Sequence, residues 1–127
     1  MKGFIRDIEK ATLANKYFRK VLHTSQHVQV VVMCLKSGED IGEEVHEIVD
    51  QFLRIESGQG KVIIDGIEQV VKDGDAIVVP AKAKHNLTNT SSDKVLQLYT
   101  VYAPPHHKDG TIHKTKQDAE NDKSDHI

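Results

Sequence analysis

Short apolar runs rich in β-branched residues, cut apart by glycine turns, are what most restricts this chain. "KVIIDGIEQVV" is the clearest case, because Asp65–Gly66 suits a type I′ turn between two strands. The punctuation recurs at Ser37–Gly38, in "SGQG" at 57–60 and at Asp73–Gly74. Between these turns the expected strands are 17–24, 28–36, 51–57, 61–65, 68–72, 76–80, 84–89 and 95–103. Strands at such short intervals favour an all-β antiparallel sandwich or barrel. Only "IEKATLANK" has a helical pattern, and it is short.

The 127 residues suffice for one hydrophobic core, and neither an internal repeat nor a second domain is visible. Residues 1–127 are therefore read as a single domain, with a barrel core at about 17–103 and an irregular polar arm at 104–127. The arm, "PPHHKDGTIHKTKQDAENDKSDHI", offers little to anchor a core, so its last ten or so residues are expected to fray. Seventeen basic residues against nineteen acidic ones leave a net charge of −2, with no long block of like charge. Trp is absent and other aromatics are few, which argues against a nucleic-acid stacking platform. Cys34 is the only cysteine, so an intramolecular disulfide is excluded and a reducing compartment is expected. No run reaches membrane-spanning length, and a soluble cytoplasmic protein without a membrane partner is the expectation.

Chemistry concentrates in "EEVHEIVDQF" at 43–52. Glu44 and His46 lie two residues apart and leave one face of an extended chain together. Gln51 follows after an irregularity, and from there Gln51, Leu53 and Ile55 share one face while Phe52, Arg54 and Glu56 take the other. About forty residues downstream, "DGDAIVVPAKAKHNLTN" runs through a strand to Pro80 and brings His85 to the start of the next strand. A strand–turn–strand unit of this kind returns an imidazole toward Glu44 and His46. One carboxylate, two imidazoles and an amide oxygen suit a borderline divalent ion. The fourth donor is Gln51 or its neighbour Asp50.

The two segments resemble the two motifs of the cupin superfamily. Gly38, Glu44, His46, Gln51 and Gly58 fall at the spacings of the first motif, and Gly74, Pro80, His85 and Asn89 at those of the second. Three positions depart from it: Glu44 stands for the first histidine, Gln51 for the glutamate, and Lys82 for the glycine after Pro80. The resemblance covers roughly 17–103 and implies a double-stranded β-helix, or jelly-roll barrel, with Glu44, His46, Gln51 and His85 around one divalent metal ion (Mn, Fe, Zn or Ni). Glutamine in place of the motif's glutamate is also found in small bacterial cupins that act on sugar-derived uronates. The chain as a whole is similar to single-domain bacterial cupins described as mannose-6-phosphate-isomerase-like. A small-molecule ligand and a homodimer are expected on that basis.

What the metal would do is left open at this level. Lewis-acid catalysis on a small hydroxy- or keto-compound, with Glu44 doubling as a base, is one reading. The two-His-one-carboxylate set also fits an Fe(II) dioxygenase, and a binding module without turnover is the third. Tyr102, Lys84 and Arg19 are candidate substrate contacts, and Tyr99 and Tyr102 occupy opposite faces of the final strand. His23 and His27 flank a turn, and His106, His107 and His113 are expected on a surface arm. Phe52, facing away from the pocket, calls for a covering layer or a partner subunit.

Overall fold

A computed structural model describes residues 1–126. Two antiparallel sheets face each other across one apolar core. The larger sheet contains β1 (Arg19–Thr24), β2 (Gln29–Leu35), β3 (Asp50–Ser57), β6 (Ala76–Val79), β8 (Leu96–Ala103) and β9 (Ile112–His113), in the order β6-β3-β8-β2-β1-β9. The smaller contains β4 (Gln59–Ile64), β5 (Ile67–Lys72) and β7 (His85–Asn89), in the order β5-β4-β7. This is the jelly-roll architecture, and its strands follow the alternation in the sequence. Along β3, Gln51, Leu53 and Ile55 are buried, while Phe52 and Arg54 lie on the opposite, partly exposed face. The hairpin at Asp65–Gly66 forms, with Ile64 opposite Ile67 and both turn residues at positive φ (48° and 82°).

Core packing sits between the sheets. Val31, Met33 and Leu35 of β2, Leu53 and Ile55 of β3, and Leu96 and Leu98 of β8 interlock there, each almost fully buried. Gly58 adopts φ +105°, and a Cβ built on it would lie 2.6 Å from the carbonyl oxygen of Val95. Only glycine allows that backbone approach. On the outer face, α1 (Ile8–Ala14) lies against β8, β3 and β2, with Asp7 as its N-cap. Gln97 donates to the carbonyls of Leu13 and Asn15 at its C-terminal end (3.0 and 3.1 Å), and Val32 and Cys34 are buried on that face. Among the described residues, no helix is long and apolar enough to cross a membrane.

The C-terminal arm departs from expectation. It is folded down, with β9 pairing with β1 and α2 (Lys116–Asn121) closed by a capping box between Thr115 and Asp118. Asp125, expected in a frayed end, is 3% exposed. Buried polar bonds supply the anchoring that hydrophobic content could not. The Gln29 amide accepts from the backbone N–H groups of His106 and His107 (3.1 and 3.0 Å) and donates to the His107 carbonyl (2.7 Å). Lys116 adds an ion pair to Asp40.

Candidate metal centre

Backbone pairing assembles the site. Residues 38–44 run beside β7, with isolated bridges joining Asp40 to Thr88 and Glu44 to His85. Glu44 and His85 are directly opposite, so their side chains project to the same side. His46 follows two residues on, and its carbonyl accepts the Lys82 N–H at 2.7 Å. Lys82 sits at φ +77°, the left-handed region that the glycine of the motif would occupy without strain. From the opposing sheet, Gln51 lies between Val79 and Tyr102 in register.

The donor atoms converge. One ligand atom each from Glu44, His46 and His85 falls within a sphere in which all pairs are closer than 4.8 Å. Glu44 Oε2 and His46 Nε2 are 2.9 Å apart, and His85 Nε2 and Gln51 Oε1 are 3.1 Å apart. Metal bonds of about 2.1 Å at right angles place neighbouring donors about 3.0 Å apart. The His46–Glu44 contact is short but not directed as a hydrogen bond, so the buried His46 Nε2 has no hydrogen-bond partner. For a buried polar nitrogen that arrangement is costly unless a cation fills it.

Outer partners set the donor directions. The carbonyl of Ala83 can only accept, so its 3.1 Å contact fixes the proton on His85 Nδ1 and leaves Nε2 with its lone pair. Gln51 Nε2 donates to Thr100 Oγ1 at 3.0 Å, which turns the amide oxygen toward His85. Burial pushes the Glu44 carboxyl up, but the adjacent His46 imidazole and the Arg19 guanidinium prevail, and its pKa falls below the ordinary carboxylate value. Leu53, Val62 and Val79 line the floor, and the free space enclosed is about 10 Å³, the scale of one water or one ion.

The remaining candidates are placed as follows. Asp50 is exposed and accepts the Ala81 N–H at 2.8 Å, outside the pocket. Lys84 alternates outward from His85, lies 3.5 Å from Glu43 and does not reach the site. Arg19 is buried, but its Nη1 is committed to His113 Nδ1 at 3.2 Å and faces Asp125 at 4.0 Å. Tyr102 is 1% exposed, with its ring 6.0 Å from that of His46, and forms a wall of the site. Burial drives its hydroxyl pKa up, so it remains a neutral phenol. Tyr99 takes the opposite face, beside Phe52.

His106 is the residue that strand parity could not find. Its ring lies 4.2 Å from that of His46. Burial and the neighbouring His107 and His46 lower its pKa to about 3. His107 and His113 are buried beneath the arm, contrary to the surface placement expected for them. The signal was present in "PPHHKDGTIH", whose histidine density exceeds what a solvated arm requires. His27 is exposed as expected, whereas His23 is half-buried and stacks on Phe4 at 5.2 Å.

Residues 31–102 match the family model described as "Cupin domain". The chain belongs to the cupin family. It is 48% identical over 124 residues to the uncharacterised Bacillus subtilis protein YrkC, covering 93% of this chain and 66% of that one. An uncharacterised protein of Acanthamoeba polyphaga mimivirus is 39% identical over 113 residues, with 86% and 70% covered. The chain thus spans about two thirds of the length of the curated relatives it matches. A crystal structure from Bacillus halodurans superposes with a TM-score of 0.92 at 42% identity, over 95% of this cupin and 96% of that chain.

Proposed function

We propose that this cupin holds one divalent ion between Glu44, His46, Gln51 and His85 and acts on a small hydroxy- or keto-compound, sugar-like and in the manner of an isomerase. The observation that carries the reading is the convergence of one ligand atom each from Glu44, His46 and His85, all within 4.8 Å of one another. When bound, the ion supplies positive charge that polarises a substrate oxygen. Around it, Ala83 holds the His85 tautomer and Thr100 holds the Gln51 amide, so the donors need little rearrangement. Glu44, less buried than the imidazoles, is the group able to take a proton from a substrate carbon or hydroxyl. Leu53, Val62 and Val79 keep water from the floor. A cavity of about 10 Å³ admits no sugar, so substrate entry requires the lining of the pocket to open.

A second reading rests on the same donors: Glu44, His46 and His85 form the two-His-one-carboxylate set of non-haem iron oxygenases. Oxygen uptake by iron-loaded protein separates it from the first, and ion binding without turnover on broad substrate panels would leave a binding module. The metal site itself is tested by elemental analysis. The His46→Ala/His85→Ala variant is expected to carry one ion per chain fewer than the parent, and an unchanged ion content in folded variant would overturn the reading.

A further inference from the structure

We propose that the C-terminal arm builds a second divalent-cation site from His106, His107 and His126, adjoining the barrel site where His106 meets His46 and suited to zinc. One nitrogen from each ring lies within 4.8 Å of the other two. The ring centroids are 4.8 Å (His106–His107), 4.6 Å (His106–His126) and 5.4 Å (His107–His126) apart. An ion bound at about 2.05 Å in tetrahedral geometry needs nitrogens about 3.3 Å apart. Rotation of the exposed His126 ring, tied to His107 by an antiparallel bridge, supplies that closure.

His107 is already oriented as a metal ligand. Its Nδ1–H donates to Asp125 Oδ1 at 2.7 Å in a fully buried contact, which leaves Nε2 with its lone pair. A carboxylate behind an imidazole in this way is the usual support of a metal-bound histidine. Nε2 receives only a long 3.3 Å contact from the Tyr102 hydroxyl, which an ion would have to displace. Gln29 fixes the backbone of His106 and His107 together, and no hydrogen bond engages the His106 ring among the described residues. His126 Nε2 lies 3.6 Å from Asp125 Oδ1, too far for a hydrogen bond, so that ring is free to turn. The neighbouring cluster of His113, Asp122 and Asp125 differs, because the Arg19 guanidinium already supplies its cation. Three neutral imidazoles without a thiolate favour zinc or another borderline divalent ion, with water in the fourth position.

The test is equilibrium dialysis against excess zinc followed by elemental analysis, on the full chain. The parent is expected to bind two ions per chain and the His106→Ala/His126→Ala variant one. The His46→Ala/His85→Ala variant is also expected to bind one, now in the arm, so failure of either site is seen separately. His126→Ala alone, at an exposed position that the fold does not need, should weaken the second ion at least tenfold. Zinc should also slow amide hydrogen exchange over residues 122–126 in the parent and not in His126→Ala. A single ion in the saturated parent, or a second ion that survives in His106→Ala/His126→Ala, overturns the proposal.

Discussion

Glu44 and His85 exchange both of their backbone hydrogen bonds, each at 2.9 Å, across residues forty-one apart in the chain. That reciprocal pair fixes the distance between a carboxylate and an imidazole before any side-chain packing acts. Metal affinity should therefore follow the residues this frame points inward. Glu44→Gln removes the one formal charge and is expected to weaken the barrel ion by about tenfold or more. Gln51→Ala should weaken it less, and Asp50→Ala, whose carboxylate holds the Ala81 N–H outside, not at all. Calorimetric titration of the three variants reads the order. Loss of affinity confined to Asp50→Ala would place the fourth donor on the wrong residue.

Lys82 stands at φ +77°, where a side chain is strained. The left-handed conformation costs a non-glycine residue about 1–2 kcal/mol, part of which glycine returns as chain entropy. Lys82→Gly should raise stability by about 0.5–1 kcal/mol in chemical denaturation, without altering the hydrogen bond from residue 82 to the His46 carbonyl. A destabilised variant would mean that the backbone does not rest in that region.

The arm should loosen in acid. Burial lowers the pKa of His107 below 6.5. Burial raises that of Asp125, but His107 and the charges nearby prevail and hold it below 3.8. Both groups are thus less protonated in the folded chain than in the unfolded one. Their contribution to stability is complete above the unfolded values, falls from pH 6.5 downward through His107, and falls further below pH 3.8 through Asp125. Thermal melts of metal-free protein should show a midpoint declining over that range. His106, whose pKa is lowered to about 3, adds to the upper part, so His107→Gln should flatten it only in part. A midpoint constant from pH 7 to 4.5 would contradict the assignment.

Across the outer face of the larger sheet, Val78, Phe52, Val101 and Val30 stand side by side on four adjacent strands. Val78 is 64% exposed, and α1 covers Val32 and Cys34 instead of this row. We propose that a second copy of the chain packs there, since such a row on an open sheet is otherwise costly to leave wet. Light scattering should give about twice the 14.2 kDa chain mass, reduced toward one chain by Val78→Lys. A parent that runs as a monomer at micromolar concentration would refute the dimer.

What the sequence determined by itself was local. Period-two alternation put Gln51, Leu53 and Ile55 inward and Phe52 outward, and the glycine turns set where each strand reverses. Because two motifs on paired strands carry the donors, their spacing also pointed to Glu44, His46 and His85 as neighbours. Tertiary structure alone decided the arm. Gln29 reads as one polar residue at the head of an apolar strand, yet it holds His107 from 78 positions away, and Arg19 meets His113 across 94. Those contacts remove Arg19 from the substrate side and bring His106 against His46. No periodicity encodes them, because a buried polar bond depends on which partner the fold delivers, and that partner is remote in the chain.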